Sequence, residues 1–336
     1  MAITRRSALG AAAAVARSWF DEAGVDAILD VPTSSVALAV NTICREKNKV
    51  HLNSGAATTD LTGAQCSPNT VHWTYDTYML AKSTGAAMVK SGGDSWFFIT
   101  ADYVFGQQLQ RDTARFVQDA GGKVLGARSY PFPDTTDFSS LLLQAQASGA
   151  KVLGLCNSGT DTVNCIKQAK EFGLTRSMKL AAMLMYDGNV RAVGLADAQG
   201  LVMTGSYYWD LNDRTRAFWE RVKAKSPSRP PNMIQAGCYA AALHYLKTAA
   251  ALGPAAVKAD GRTAVAHMKS VPTEDDCFGP GTIREDGRKL HPSHLLRVKA
   301  PAESKGPFDV LKPIAATPAA EAFRPTGEGG CGLVKA

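Results

Sequence analysis

No run of 18 apolar residues occurs in this 336-residue sequence, so no segment is long and apolar enough to span a bilayer as a helix. No cluster of five or more basic residues occurs either. The 37 Lys+Arg against 30 Asp+Glu leave a formal charge of +7 that is spread along the chain. Aromatic residues are not interleaved with the basic ones, and such a distribution supports solubility rather than a nucleic-acid footprint. The sequence contains no G-x-G-x-x-G, no G-x-x-x-x-G-K-[ST], no G-x-S-x-G and no H-E-x-x-H, and no nucleophile–base pair stands out. None of the seven cysteines forms a C-x-x-C pair, which removes zinc ribbons and thioredoxin-type motifs. What is present is 45% hydrophobic and 20% charged, an ordinary globular composition with length for about two domains. Collagen-like, disordered and coiled-coil classes are excluded on the same numbers.

Seven is an odd count, so at least one thiol stays unpaired within the chain. Cys44, Cys156, Cys165 and Cys238 sit among apolar residues and read as small buried hydrophobes. Cys66, Cys277 and Cys331 fall in loops or the tail; a disulfide is expected to join two of these, with Cys66 and Cys331 as the chosen pair. At the N-terminus, Arg5-Arg6 followed by alanines resembles the opening of a twin-arginine export signal, so residues 1–16 are read as signal. The apolar stretch 8–16 is short, and it runs without a linker into what reads as a helix from Arg17.

From Arg17 onward, amphipathic helical segments alternate with short β-rich runs. The β-rich runs are 25–31 (VDAILDV), 50–52, 96–100 (WFFIT), 124–127, 152–156 (VLGLC), 180–185 and 201–204. Gly24, Gly92, Gly121, Gly149, Gly173 and Gly200 stand where helices need a left-handed cap before the next strand. Repeated units of this kind predict doubly wound α/β lobes with parallel sheets. After Trp209 come helices at 213–225, 234–252 and 264–269, then a β-hairpin from 282–284 and 290–299. The tail beyond 300 is rich in Pro, Gly and Ala and is expected to lie extended on the surface. His291 and His294, flanking Pro292, read as a surface turn rather than a metal pair; His244 and His267 read as structural.

In open α/β sheets, ligands bind beyond the carboxyl ends of the strands. Those ends carry Thr33-Ser34-Ser35 opening a helix, and Asn53-Ser54-Gly55-Ala56-Ala57-Thr58 after the next run. Hydroxyls and free amides at helix starts suit a carboxylate, although Ser and Thr also serve there as plain caps. Other strand ends carry Asp102-Tyr103-Val104-Phe105, Asn157-Ser158-Gly159-Thr160-Asp161 and Tyr186-Asp187-Gly188, offering rings and acceptors for an aromatic ring or an amine. Trp73-Thr74-Tyr75 and Tyr207-Tyr208-Trp209 lie where one group of units gives way to another, as cleft lining or hinge.

VDAILDVPTSS, NSGAATTDLTG, WTYD before a helix, FFITADYVFGQ, IKQAKEFGL and IREDGR-x-x-H together resemble periplasmic solute-binding proteins of ABC transporters, of the branched-chain amino-acid (leucine/isoleucine/valine) type, over residues 16–336. The resemblance implies the type I bilobal fold, with three hinge crossovers and a cleft that closes on a small ligand. Lobe 1 is expected at 17–74 and 210–281, lobe 2 at 75–209 and 282–310, and a tail at 311–336. It further implies that Ser34, Ser35, Ser54, Ala56, Ala57 and Thr58 hold a small-molecule carboxylate. Tyr75, Tyr103, Phe105, Asn157, Thr160, Asp161 and Asp187 are then expected to contact the rest of the ligand. Asp161 and Asp187 would favour an amine; Tyr75, Tyr103 and Phe105 an aromatic acid. No cofactor, metal or nucleic acid is expected; the protein partner is an ABC permease and the compartment the periplasm. One departure stands out. Family members open with a β–α–β unit before the helix that here starts at Arg17. Lobe 1 is therefore expected to be incomplete, with reduced stability and weakened or lost affinity. The alternatives are a cytoplasmic ligand-sensing regulator on the same fold and an α/β enzyme.

Overall fold

The computed structural model describes residues 5–335. The chain opens with helix α1 (Arg5–Asp21), so Met1–Thr4 of the expected export segment lie outside the described residues and the remainder of it is one helix with no break at Ala16. The alanine run accounts for this, since alanine has the highest intrinsic helix propensity. Ala16 and Phe20 are buried against Ile28, Val40, Ile43 and Cys44, the last three contributed by helix α2 (Ser34–Glu46).

Lobe 1 is built on a three-stranded parallel sheet in the order β1 (Ala27–Leu29), β2 (Val50–Asn53), β3 (Thr70–His72). The short β3, which the sequence reading left unassigned, is extended by a bridge from His72 to Arg288. Among the described residues the outer edge of β1 has no partner strand. Beside it lies an apolar groove of about 540 Å³ lined by residues of α1, β1 and α2. Three of the large exposed apolar side chains, Val15 (47%), Trp19 (47%) and Leu29 (42%), line it.

Helix α3 (Thr77–Lys90) leads into lobe 2. Its strands are β4 (Ser95–Ala101), β5 (Lys123–Tyr130), β6 (Val152–Cys156), β7 (Lys179–Ala182), β8 (Val202–Gly205), β9 (Ser293–Val298) and β10 (Leu311–Thr317), in sheet order β10-β9-β8-β7-β6-β4-β5. β4 to β8 run parallel, while β9 pairs antiparallel with both β8 and β10. Helices α4 (Val104–Asp119), α5 (Ser139–Ala147), α6 (Thr160–Glu171), α7 (Asp187–Val193) and α8 (Leu195–Ala198) form the crossovers. In β4, Trp96 and Phe98 enter one apolar cluster while Phe97, Ile99 and Ala101 enter another, the period-two signature of a strand covered on both faces.

After β8 the chain returns to lobe 1 as helices α9 (Asp213–Val222), α10 (Met233–Leu252), α11 (Pro254–Ala259) and α12 (Gly261–Ser270). Gly237 lets α10 approach the first crossover: a Cβ there would stand 2.2 Å from Thr74 Cγ2 and 2.8 Å from Ser54 Oγ. The expected hairpin at 282–299 is only partly formed. Ile283 and Lys289 make an isolated bridge, and the strand proper begins at Ser293. The segment between them is the third crossover, and it is buried. Arg288 and Lys289 are both 0% exposed, and His291 lies between the rings of Phe278 and Phe323 rather than on a surface turn.

The tail does not simply lie on the surface. Residues Leu311–Thr317 add an antiparallel edge strand to lobe 2, because β9 offers an unpaired edge. The chain then returns to lobe 1 through helix α13 (Ala319–Ala322), where Arg324 donates to Thr59 O (3.1 Å) and Cys331 is disulfide-bonded to Cys66. Cys277 is a free, buried thiol, as are Cys44, Cys156 and Cys165; Cys238 is half-buried.

Candidate functional site

The carboxyl ends of β1 and β2 set one wall of the interlobe cleft. Asp30 leaves β1 with φ 59°, and its Oδ1 accepts hydrogen bonds from Gly55 N (2.5 Å) and Ser54 N (3.3 Å). Burial raises the Asp30 pKa, outweighing the opposing hydrogen bonds from Gly55, Ser54 and Val31. Asn53 Nδ2 donates to Ala56 O (2.8 Å), closing the turn that follows β2. Thr33 caps α2 with extended backbone but without a side-chain hydrogen bond, and Ser34 Oγ, fully buried, has no partner. The start of α2 therefore presents unclaimed N–H groups and an unclaimed hydroxyl on the cleft side.

The carboxyl ends of β4, β5, β6 and β7 make the other wall. Tyr103 and Phe105 stand where β4 enters α4, Phe132 follows β5, Ser158 follows β6, and Leu184 and Tyr186 follow β7. The Tyr103 and Phe132 rings are stacked at 4.5 Å and 16°, with Phe105 5.8 Å from Tyr103. With Pro32, Thr33, Ser34, Gly55 and Ala57 from lobe 1 and Ile234 from α10, they enclose a cavity of about 170 Å³. A hydrogen-bonded chain crosses it at one end. Tyr75 OH donates to Gly55 O (2.9 Å), so the 2.8 Å contact between the two phenols is a donation from Tyr186 to Tyr75. Burial pushes the Tyr186 phenol up to about 12 and that of Tyr75 well above its ordinary value, so both stay protonated in neutral solution.

Of the residues expected at the site, Ser34, Ala57, Tyr103 and Phe105 line this cavity. Tyr75 stands directly behind Tyr186 and Gly55. The others lie outside the lining, for local reasons. Ser35 is half-buried one position further into α2. Ser54 is fully buried beneath Gly237 of α10, and its hydroxyl has no hydrogen-bond partner. Ala56 packs against Ala37, Leu38 and Leu61, and Thr58 Oγ1 accepts from Asp60 N (3.2 Å) as a cap. Asn157 Oδ1 accepts from Thr162 Oγ1 (2.8 Å), and Thr160 opens α6 exposed to solvent. Asp161 Oδ2 accepts from Tyr130 OH (2.6 Å). Asp187 faces a separate small cavity beside Tyr207 and Tyr208. Lining residues that the sequence reading did not select are Pro32, Thr33, Gly55, Phe132, Ser158, Leu184, Tyr186 and Ile234. Ser158 and Tyr186 were within reach, since each is at a strand end already singled out. Among the described residues no group of three or more His, Cys, Asp or Glu side chains is placed to hold a metal ion, and no helix is long and apolar enough to cross a membrane.

The family described as periplasmic binding protein matches residues 7–307. A periplasmic binding protein from Burkholderia mallei is 45% identical, with a TM-score of 0.92 over 97% of this chain and 85% of its own. A branched-chain amino acid ABC transporter periplasmic ligand-binding protein from Burkholderia xenovorans is 35% identical, with a TM-score of 0.83 over 97% of this chain and 86% of its own. The solute-binding protein of an ABC transporter from R. palustris, in complex with benzoate, shares the fold at a TM-score of 0.83 and 20% identity, over 98% of this chain and 87% of its own. No curated protein matches the sequence. Two α/β lobes enclosing a cleft at their strand ends, and a family match over most of the length, agree: this chain belongs to the periplasmic binding protein family.

Proposed function

We propose that the protein is the periplasmic receptor of an ABC importer and that it binds a small carboxylate in the interlobe cleft without transforming it. The observation that carries this reading is the buried, unpartnered Ser34 Oγ at the uncapped start of α2, facing a cavity whose opposite wall belongs to the other lobe. A carboxylate seated there receives the helix N-terminal dipole and a hydroxyl donor together. Closure around it buries the ligand, and the closed form is what the permease distinguishes. Calorimetric titration with small carboxylates tests the reading, with Ser34→Asp as the control. Asp is well tolerated at a helix start but repels an anion, so binding is expected in the parent chain and more than 100-fold weaker in S34D. Equal affinity in both, or no binding by the parent, defeats it.

We further infer that lobe 1 is short of a β–α–β unit that would pair the free edge of β1 and fill the groove beside it. An exposed strand edge next to apolar surface promotes association and weakens the lobe that carries it. Sedimentation of the parent should reveal self-association that Leu29→Lys suppresses, because a lysine on an edge strand opposes strand pairing. A compact, cooperative monomer from the parent counts against this.

A further inference from the structure

The side chains facing the cleft carry no charge: none of the lining residues is Asp, Glu, Lys, Arg or His. The nearby acids are engaged elsewhere. Asp30 is taken up by the amides of Gly55 and Ser54, Asp161 by Tyr130 OH, and Asp187 faces a different cavity. An ammonium group brought into this cleft would be stripped of water with no carboxylate to meet it, and desolvation of an unpaired charge is strongly unfavourable. A cation–π contact with Tyr103 or Phe105 returns only a small part of that cost. A carboxylate, by contrast, is served by the start of α2 and by Ser34.

The remaining surface is made for a ring. Tyr103 and Phe105 lie at an open angle of 46°, the first backed by Phe132, and Leu184 and Ile234 add aliphatic contact. Rings settle at centroid separations of about 4.5–7 Å in offset or edge-on contact with such partners. The volume of about 170 Å³ is close to the roughly 150 Å³ that an apolar cavity needs to admit one benzene ring.

We propose, resting on the receptor reading above, that the ligand is a single-ring aromatic monocarboxylate without an ammonium group. Its carboxylate lies at Ser34 and the start of α2, and its ring lies against Tyr103 and Phe105. An α-amino acid is rejected because the cleft has nothing to neutralise its amine. The neutral lining thus selects by the charge count of the ligand as much as by its shape.

Calorimetric titration of the full chain with benzoate, cyclohexanecarboxylate and L-leucine tests this. Benzoate is expected to bind at least 100-fold more tightly than L-leucine and several-fold more tightly than cyclohexanecarboxylate. Tyr103→Leu is expected to abolish the preference for the aromatic over the saturated ring while keeping the rejection of leucine. L-leucine binding as tightly as benzoate overturns the proposal and leaves the receptor reading standing. Cyclohexanecarboxylate matching benzoate in the parent chain also overturns it. If no carboxylate binds, the receptor reading itself falls and the proposal with it.

Discussion

The two phenols that cross the cleft make unequal demands on the structure, and that asymmetry can be measured. Tyr186 OH donates to Tyr75, which in turn donates to Gly55 O. Tyr186→Phe removes the first donation only. Tyr75 keeps its bond to Gly55, and the loss is one neutral hydrogen bond, about 1 kcal/mol. Because that bond joins a lobe 2 strand end to the first crossover, it exists only when the lobes are closed. Closure is then disfavoured by about the same amount, and affinity for a ligand that requires closure falls roughly fivefold. Tyr75→Phe does more damage: Gly55 O loses its donor and Tyr186 OH its acceptor. Each orphaned buried group costs about 1–3 kcal/mol, so about 2–6 kcal/mol is expected in total. Part of this falls on lobe 1 whether or not the cleft is closed, since the bond to Gly55 does not cross it. Urea denaturation of the ligand-free chains should therefore show Y75F clearly less stable than the parent while Y186F stays near it, and benzoate titration should show the roughly fivefold loss in Y186F. Equal stability loss in the two variants, or unchanged affinity in Y186F, refutes the reasoning.

Asp76→Asn should cost about 3 kcal/mol in urea denaturation. Asn still caps α3, where Asp76 now accepts from Met79 N (2.9 Å), but Arg288, fully buried 3.5 Å away and held by Thr74 O, loses its counter-charge. A loss below about 1 kcal/mol would show that the buried guanidinium is served by its backbone acceptors and the Phe323 ring alone. Stability should fall between pH 7 and pH 5.5. Burial lowers the pKa of His51 and His294 to about 4 and holds His72 and His291 well below the ordinary imidazole range, so the unfolded chain takes up protons near pH 6.5 that the native state refuses. Each of the four contributes about 1 kcal/mol over that window, and a flat profile in pH-dependent melting contradicts it. Cys331→Ser opens a loop of 265 residues and, on loop entropy, lowers stability by up to about 5 kcal/mol. The same melting experiment on C331S reads this, and an unchanged midpoint would mean that Phe323 and Arg324 hold the tail unaided.

The fold was legible where residue patterns are local. The β–α alternation placed β4 to β8 and their helices to within a few residues, because period-two and period-3.6 hydrophobicity survive without tertiary context. The cleft was only half legible. Strand ends rich in hydroxyls pointed to the right loops, yet Thr58 serves as a cap, which hydroxyls do as readily as they bind anions, and Ser54 is buried beneath Gly237 outside the cavity lining. Asp161 and Asp187 looked free because the partners that engage or enclose them lie on other elements. The third crossover was not legible. Glu285-Asp286-Gly287-Arg288-Lys289 reads as a solvated turn, and only the returning tail, with Phe323 4.4 Å from the Arg288 guanidinium, turns it into an interior.

Ligand affinity and the integrity of lobe 1 are not independent properties here. The groove beside β1 and the ligand cavity share Pro32, and Asp30, on the groove wall, holds the Gly55 amide that belongs to the cavity wall. Three residues thus separate the open edge at Leu29 from the uncapped helix start at Thr33. Backbone on an unpartnered edge is held by packing on one side only, so motion of β1 passes directly through Asp30 to the Ser54–Gly55 turn. The lobe 2 wall is better supported: β4, β6 and β7 are interior strands of a seven-stranded sheet, and only β5, which leads to Phe132, lies at its edge. The rings of Tyr103 and Phe105 are therefore held by an interior strand, while the proposed anion site lies beside the open edge of β1. Ring selectivity should for that reason survive conditions that erode affinity for the carboxylate.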